Sequence, residues 1–261
     1  MFNLFKKKEE KTDENAELDV PMTQQFQTGF EESLYYADHG NIIEATHVGI
    51  SYHYGIEKGN EEHPAGIEPN LELAIKYLNM AAKKGYLKAQ VELGMLYYTA
   101  DSDVFDKEKG FEWLSLTAKR GDSFSQFVLG HHYQNGELLP QDEELAYHWF
   151  LESASNGEVE AMLRLAQIYK ERAEYLMGKD CFTEEEKIES WNNAELSFKW
   201  YKKAADEGEV DAIFWVGVYY FAGFGVPIDK NIATTYLDLA ISNGSQVAVD
   251  FKNKHFSMEE L

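Results

Sequence analysis

A glycine that returns at a fixed interval constrains this chain more than any other feature. Gly85, Gly121, Gly157, Gly208 and Gly244 are separated by 36, 36, 51 and 36 residues. Small residues lead into each one: Ala81-Ala82, Thr117-Ala118, Ser153-Ala154, Ala204-Ala205 and Ala240-Ile241. Eight positions before each stands an aromatic, in turn Tyr77, Trp113, Trp149, Trp200 and Tyr236. Further upstream, Leu93-Gly94, Leu129-Gly130, Leu165-Ala166 and Val216-Gly217 are each followed three residues later by Tyr97, Tyr133, Tyr169 and Tyr220. An earlier copy reads Val48-Gly49 and Tyr52. Small and aromatic residues at fixed places in a fixed period mark a stack of helix pairs, each unable to bury its apolar face alone.

Residues 212–244 are the most regular copy. The segment 212–222 is apolar nearly all round, so it reads as a helix buried on most sides. Gly223, Gly225 and Pro227 break it, and Asp229 is placed to N-cap the next helix. That helix carries Ala233, Tyr236, Leu237 and Ala240 at i, i+3, i+4 and i+7, one apolar stripe, and Gly244 ends it. A glycine inside a helix is worse than alanine by about 1 kcal/mol, so Gly94, Gly130 and Gly217 require a packing reason. The expected reason is a close crossing of the second helix, with residues of the Ala81/Ala82 type facing the glycine. Trp113, Trp149, Trp200 and the tyrosines would then fill the space between one pair and the next.

The pattern Ala-x-x-x-Leu-Gly-x-x-Tyr, a Gly-x-Gly-Val turn, an Asp, then Ala-x-x-Trp/Tyr-x-x-x-Ala-Ala-x-x-Gly resembles the Sel-one-like repeat, a relative of the tetratricopeptide repeat. The resemblance covers residues 44–244 in five copies, with a half unit at each end. It implies an all-α fold: a right-handed α/α superhelix, or solenoid, of five helix pairs with a capping helix at each end. It also implies an adaptor whose surfaces are presented to other proteins.

Along the chain, residues 1–19 read as a disordered charged tail. Within it Phe2, Leu4, Phe5 and Lys6 to Lys8 could give a weak membrane toehold, opposed by the glutamates that follow. Pro21 opens a lone helix, 20–40, that would cap the array. The repeats occupy 41–244, with insertions at 55–70 and 170–193, and 245–261 form a closing helix. There, Lys252 and Asn253 replace Leu-Gly, and Phe256 takes the tyrosine position. In the fourth copy the first helix runs on past Tyr169 to Gly178. The pattern Thr183-Glu184-Glu185-Glu186 then signals a capping box and an early second helix. This predicts a hairpin longer by about two turns in each arm, with Tyr175 and Trp191 either packed together or facing a partner.

The composition sets limits on function. There are 46 acidic and 24 basic residues, a net charge of −22. Nucleic-acid affinity rests on phosphate neutralisation by Lys and Arg, so a nucleic-acid partner is not expected. The charge reads either as a self-repelling surface that keeps the protein a monomer or as steering towards a basic partner. No apolar run is long enough to span a bilayer, and no secretory core is present at the N-terminus. The single cysteine, Cys181, excludes an internal disulfide framework. A cytoplasmic protein is the expectation.

At about 100° per residue, the third, seventh and tenth positions of each first helix share a sector that faces the concave groove in tetratricopeptide-like arrays. Among them are Ile50, His53, Met95, Tyr98, Phe127, His131, Gln134, Gln167, Lys170, Phe214 and Phe221. These would suit an extended peptide or a helix, unless curvature closes the groove and makes them core. Catalysis finds little support. Gly223-Phe224-Gly225 is no phosphate loop, no Gly-x-Ser-x-Gly or His-Glu-x-x-His occurs, and Cys181 lies among acids that raise a thiol pKa. His131 and His132 diverge on a helix, and His63 beside Glu61 and Glu62 has no second ligand set, so neither metal nor cofactor is expected. The sequence leaves two leading readings, a non-enzymatic adaptor for a protein or peptide and a dedicated inhibitor or immunity protein for a basic target. An enzyme is a distant third.

Overall fold

The computed structural model describes residues 29–58, 66–99, 105–179 and 183–256. The charged tail, residues 20–28 of the expected capping helix, His63 with its flanking glutamates, and Cys181 lie outside them. The described residues form an all-α repeat fold of twelve helices. These are α1 (Gly29–Asp38), α2 (Ile42–Tyr54), α3 (Leu71–Ala82), α4 (Leu87–Thr99), α5 (Lys107–Ala118) and α6 (Ser123–Asn135). They continue as α7 (Glu143–Ser155), α8 (Val159–Met177), α9 (Glu184–Asp206), α10 (Val210–Ala222), α11 (Lys230–Ser242) and α12 (Gln246–His255). Two compact units divide between Gly110 and Phe111. In the first, α2 packs on α1 and α3, and α4 on α3; in the second, α7 to α11 pack each on the next and α12 closes on α11.

The closing glycines terminate helices through backbone conformation. Gly85, Gly121, Gly157, Gly208 and Gly244 have φ between +86° and +97°, and a Cβ added at any of them would meet nothing within 4 Å. Each closes a Schellman motif, as where Tyr86 N–H donates to the Ala81 carbonyl at 3.2 Å and Gly85 N–H to that of Ala82 at 3.0 Å. The second helices begin at carboxylate or amide caps. Asn70, Asp142 and the expected Asp229 each accept a bond from a first-turn N–H.

The glycines inside helices have the packing role that their repetition predicts, but against other neighbours than expected. A Cβ on Gly49 would lie 2.7 Å from Leu78 Cγ, on Gly130 2.8 Å from the Phe150 ring, and on Gly217 3.0 Å from Leu237 Cγ. The carbonyls of Ala146 and Ala233 lie just behind, at 3.2 and 3.3 Å. The facing residues are therefore Leu78, Phe150 and Leu237 with a small residue one turn earlier, rather than the Ala81/Ala82 pair. In the second repeat that small residue is itself glycine. A Cβ on Gly110 would fall 2.8 Å from the Gly94 carbonyl. The fourth repeat carries Ala166 instead, and Ser197 Oγ donates to its carbonyl at 2.6 Å.

Aromatic packing occurs both within a repeat and, as expected, between one pair and the next. Tyr52 stacks on Tyr77 and Tyr220 on Tyr236, both with centroids 6.2 Å apart and both within one repeat. Between repeats, the Tyr77 hydroxyl donates to Asp38 at the end of α1 at 3.0 Å, Tyr147 of α7 packs edge-on to Tyr169 of α8, and Tyr201 of α9 stacks on Trp215 of α10 at 5.8 Å. Among Trp113, Trp149 and Trp200, all half-buried, Trp200 lies under the Lys203 ammonium at 4.2 Å.

The fourth pair carries the long hairpin. Helix α8 has 19 residues and α9 has 23, against 13 in α10 and α11. The extension is thus just under two turns in one arm and nearly three in the other. Thr183 and Glu186 form the reciprocal capping box read from the sequence. Gly225, with φ +68°, seats the fifth-repeat turn on α9, because a Cβ there would lie 2.3 Å from the Ala194 carbonyl carbon. The first insertion closes as a small antiparallel bridge between Ile56 and Ile67.

Candidate binding surfaces

The tenth position of one first helix packs against the fourth position of the next. Arg164 Nε donates to Gln134 Oε1 at 3.0 Å, Lys170 Nζ lies 5.0 Å from the Trp215 ring centre, and Phe221 sits 5.4 Å from Phe251. Part of the expected groove sector is therefore a seam between helices. Phe214 is a clear correction. It is 7% exposed and packs edge-on to Phe251, so it belongs to the core under α12. Phe221 is half-buried beneath the same helix, against Phe251, His255 and Phe256.

The other groove residues are not closed off. Ile50, His53, Met95, Tyr98, Phe127, Gln134 and Lys170 are half-buried, and His131 and Gln167 are exposed. In the first unit, His53 Nδ1 is buried without a hydrogen-bond partner, and burial pushes its pKa down, so the ring is neutral. In the second unit, Phe127 lies 5.8 Å from Phe150, His131 bonds with Asn135 at 3.1 Å, and Gln167 donates to Glu171 at 2.9 Å. Tyr175 and Trp191 are 72% and 48% exposed, with no ring contact between them among the described residues. They do not pack together. Met177 and Ile188 of the same hairpin are 55% and 63% exposed.

Two concavities in the second unit gather these side chains. The first, about 580 Å³, lies between the end of α8 and the fifth-repeat turn. Its walls are Met177, Trp215, Val218, Ala222 and Phe224, and its polar edge is the Lys170–Glu174 ion pair at 2.8 Å. The extra turns of α8 create it, because Glu174, Met177 and Gly178 lie beyond the length of an ordinary repeat helix.

The second, about 410 Å³, lies between α6, α7 and α8. Ala146, Phe150 and Ile168 make it partly apolar, and Arg164, Arg172 and Tyr175 line it from α8. The Arg172 guanidinium lies 5.4 Å from the Tyr147 ring and 5.8 Å from that of Tyr169. The two tyrosine hydroxyls bond to each other, and burial pushes the Tyr147 pKa up to about 12, so its hydroxyl stays neutral. The sequence reading missed Arg164, Arg172, Trp215 and Met177 as site residues. The available signal was that two of the three arginines in the chain fall on one helix eight residues apart.

This architecture places the protein among α/α repeat proteins with concave, side-chain-lined surfaces. The Sel1 repeat model matches residues 47–86, 87–122, 123–158, 159–209 and 210–245, and the chain belongs to that family. Sel1 repeat proteins generally mediate protein–protein interactions, and their fold is typically a non-enzymatic scaffold. Among solved structures, the chain is similar to a Sel1 repeat protein from Oxalobacter formigenes, with TM-score 0.65 and 17% identity over 88% of this chain and 91% of that one. It is also similar to c5321, a protective antigen with an SLR fold from uropathogenic Escherichia coli, with TM-score 0.62 and 19% identity. That match covers 90% of this chain and 54% of the antigen, so the chain spans about half the length of that relative. At these identities the likeness is one of fold. No curated protein matches the sequence significantly.

Proposed function

We propose that the protein is a non-enzymatic interaction module that captures a protein or peptide partner in the pocket between the α8 extension and the fifth-repeat turn. The observation that carries the reading is the open apolar lining itself. Met177 is 55% exposed beside Trp215, Val218 and Phe224, on extra turns of α8 that an ordinary repeat helix lacks. A pocket of this size with a few polar groups at its edge suits an aliphatic or aromatic anchor from the partner. The net charge of −22 favours a basic partner surface around that anchor and a monomeric protein.

The test is capture from native lysate by wild type and by Met177→Glu, with bound proteins identified by mass spectrometry. Met177 is exposed, so the variant should fold normally and lose the partner. Equal capture by both proteins would refute the pocket as the binding surface.

The same charge supports a second reading, a dedicated inhibitor of a basic toxin or enzyme. That reading requires a single tight partner whose association rate falls steeply with added salt. An association rate indifferent to salt would rule it out.

A further inference from the structure

We infer that the cleft between α6, α7 and α8 is a carboxylate-recognition site, taking an acidic segment of the partner through Arg164 and Arg172. The inference rests on the reading of the protein as a partner-binding module and assigns a second chemistry to the same unit.

The starting observation is an anomaly of pairing. Acidic residues outnumber basic ones 46 to 24, and lysines find them readily, as in Lys170–Glu174, Lys199–Glu195 and Lys179–Glu186. Among the described residues neither Arg164 nor Arg172 is in an ion pair. The one hydrogen bond of the Arg164 guanidinium among the described residues runs from Nε to Gln134, and the side chain lines the cleft. Arg172 has its guanidinium carbon 5.4 and 5.8 Å from two tyrosine ring centres and, among the described residues, makes no hydrogen bond or ion pair.

Three carboxylates stand close by, and among the described residues none of them pairs with either arginine. Glu160, one turn before Arg164, is held by Glu158, and that bond keeps its pKa down. Glu171 lines the cleft but accepts from Gln167. Glu143 also lines it, from the first turn of α7, where the helix dipole favours a negative charge.

Two planar guanidinium forks with free donors match the geometry of carboxylates, which they bind bidentately. They stand eight residues apart on α8, about 12 Å along the axis, so an extended segment with spaced acids can reach both. Ile168, half-buried between the two on α8, gives aliphatic contact to that segment, which a free small acid could not use. The negative charge of the whole protein does not forbid this, because beyond about 8 Å at physiological salt it is largely screened.

The experiment is calorimetric titration of the full chain with an N-acetylated octapeptide of glutamates around two central leucines. The same peptide with lysine for glutamate, and free glutarate, serve as comparisons. Saturable one-site binding of the acidic peptide is expected, at least tenfold weaker in Arg164→Gln and Arg172→Gln. Arg172→Lys should recover only part of the loss, because an ammonium keeps the charge over Tyr147 but lacks the fork. Melting curves of each variant separate lost binding from lost folding. The inference is overturned by absent binding, by equal binding of the lysine peptide, or by less than a twofold change in the arginine variants. Glutarate binding as tightly as the peptide would overturn the peptide assignment. If the lysate partner is lost by Met177→Glu but kept by both glutamine variants, the proposed function stands and this inference falls.

Discussion

Replacing Gly130 tests the packing account of the repeats most directly. The residue is buried on α6, and a Cβ there would stand 2.8 Å from two carbons of the Phe150 ring and 3.2 Å from the Ala146 carbonyl. Phe150 is 0% exposed and held among Ala146, Met162 and Leu165, so the ring has little room to withdraw. Alanine in a helix interior would otherwise gain about 1 kcal/mol over glycine. Overpacking a dense core costs about 1–3 kcal/mol. The net expectation for Gly130→Ala is a loss of up to about 2 kcal/mol, and for Gly130→Leu, which forces more volume into the same crossing, about 1–3 kcal/mol. Each kcal/mol should lower Tm by about 2–4 °C in a chain of this size. Gly178→Ala is the control, since its Cβ would make only ordinary contact with the Glu174 carbonyl at 3.4 Å and its φ is −79°. It should stay within about 0.5 kcal/mol of wild type. Melting followed by circular dichroism and by calorimetry decides the matter. A Gly130→Leu protein as stable as wild type would refute the close-crossing argument.

Two further perturbations follow from other contacts. Burial, with a hydrogen bond to Glu160, pushes the Glu158 pKa up from its ordinary range to about 7, while Ser123 Oγ donates to it at 3.0 Å. The folded state therefore holds a proton that the unfolded chain releases at lower pH, so stability should fall as pH rises from about 5 to 8. The shift sets an upper bound of about 3 kcal/mol, reduced to about 1–2 kcal/mol by solvent screening of a half-buried group. In urea titrations across this range Glu158→Gln should flatten that fall, and an unchanged pH dependence would contradict it. Ser197→Ala removes the bonds of Ser197 Oγ to the Ala166 carbonyl and to the buried Tyr219 hydroxyl, the latter at 2.7 Å. It should cost about 1–3 kcal/mol, and together with Tyr219→Phe less than the sum of the two single changes. Strict additivity in denaturant unfolding would mean that the two hydroxyls do not act as a unit.

The sequence by itself determined the repeat, its helix ends and the lengthened fourth pair, because those depend on interactions between residues close in the chain. A left-handed glycine, an Asp cap at Asp229 and the Thr183–Glu186 box are local, and the chain states them in its own order. It also gave the correct reason for the internal glycines, that the second helix crosses close, while naming the wrong neighbours. Which side chain fills the space at Gly130 depends on the register between two helices, which periodicity alone leaves free. The groove suffered for the same reason. Counting 100° per residue placed Phe214 and Gln167 on one sector, yet the C-terminal helix covers Phe214 and leaves Gln167 in solvent. The fourth position of the next helix decides what lies open, and it acts across a tertiary contact. Arg164 and Arg172 show this most clearly. As letters they are ordinary helix residues among acids one turn away. Only the fold, which packs α8 against α6 and α7, brings both onto the wall of one cleft without an ion pair among the described residues.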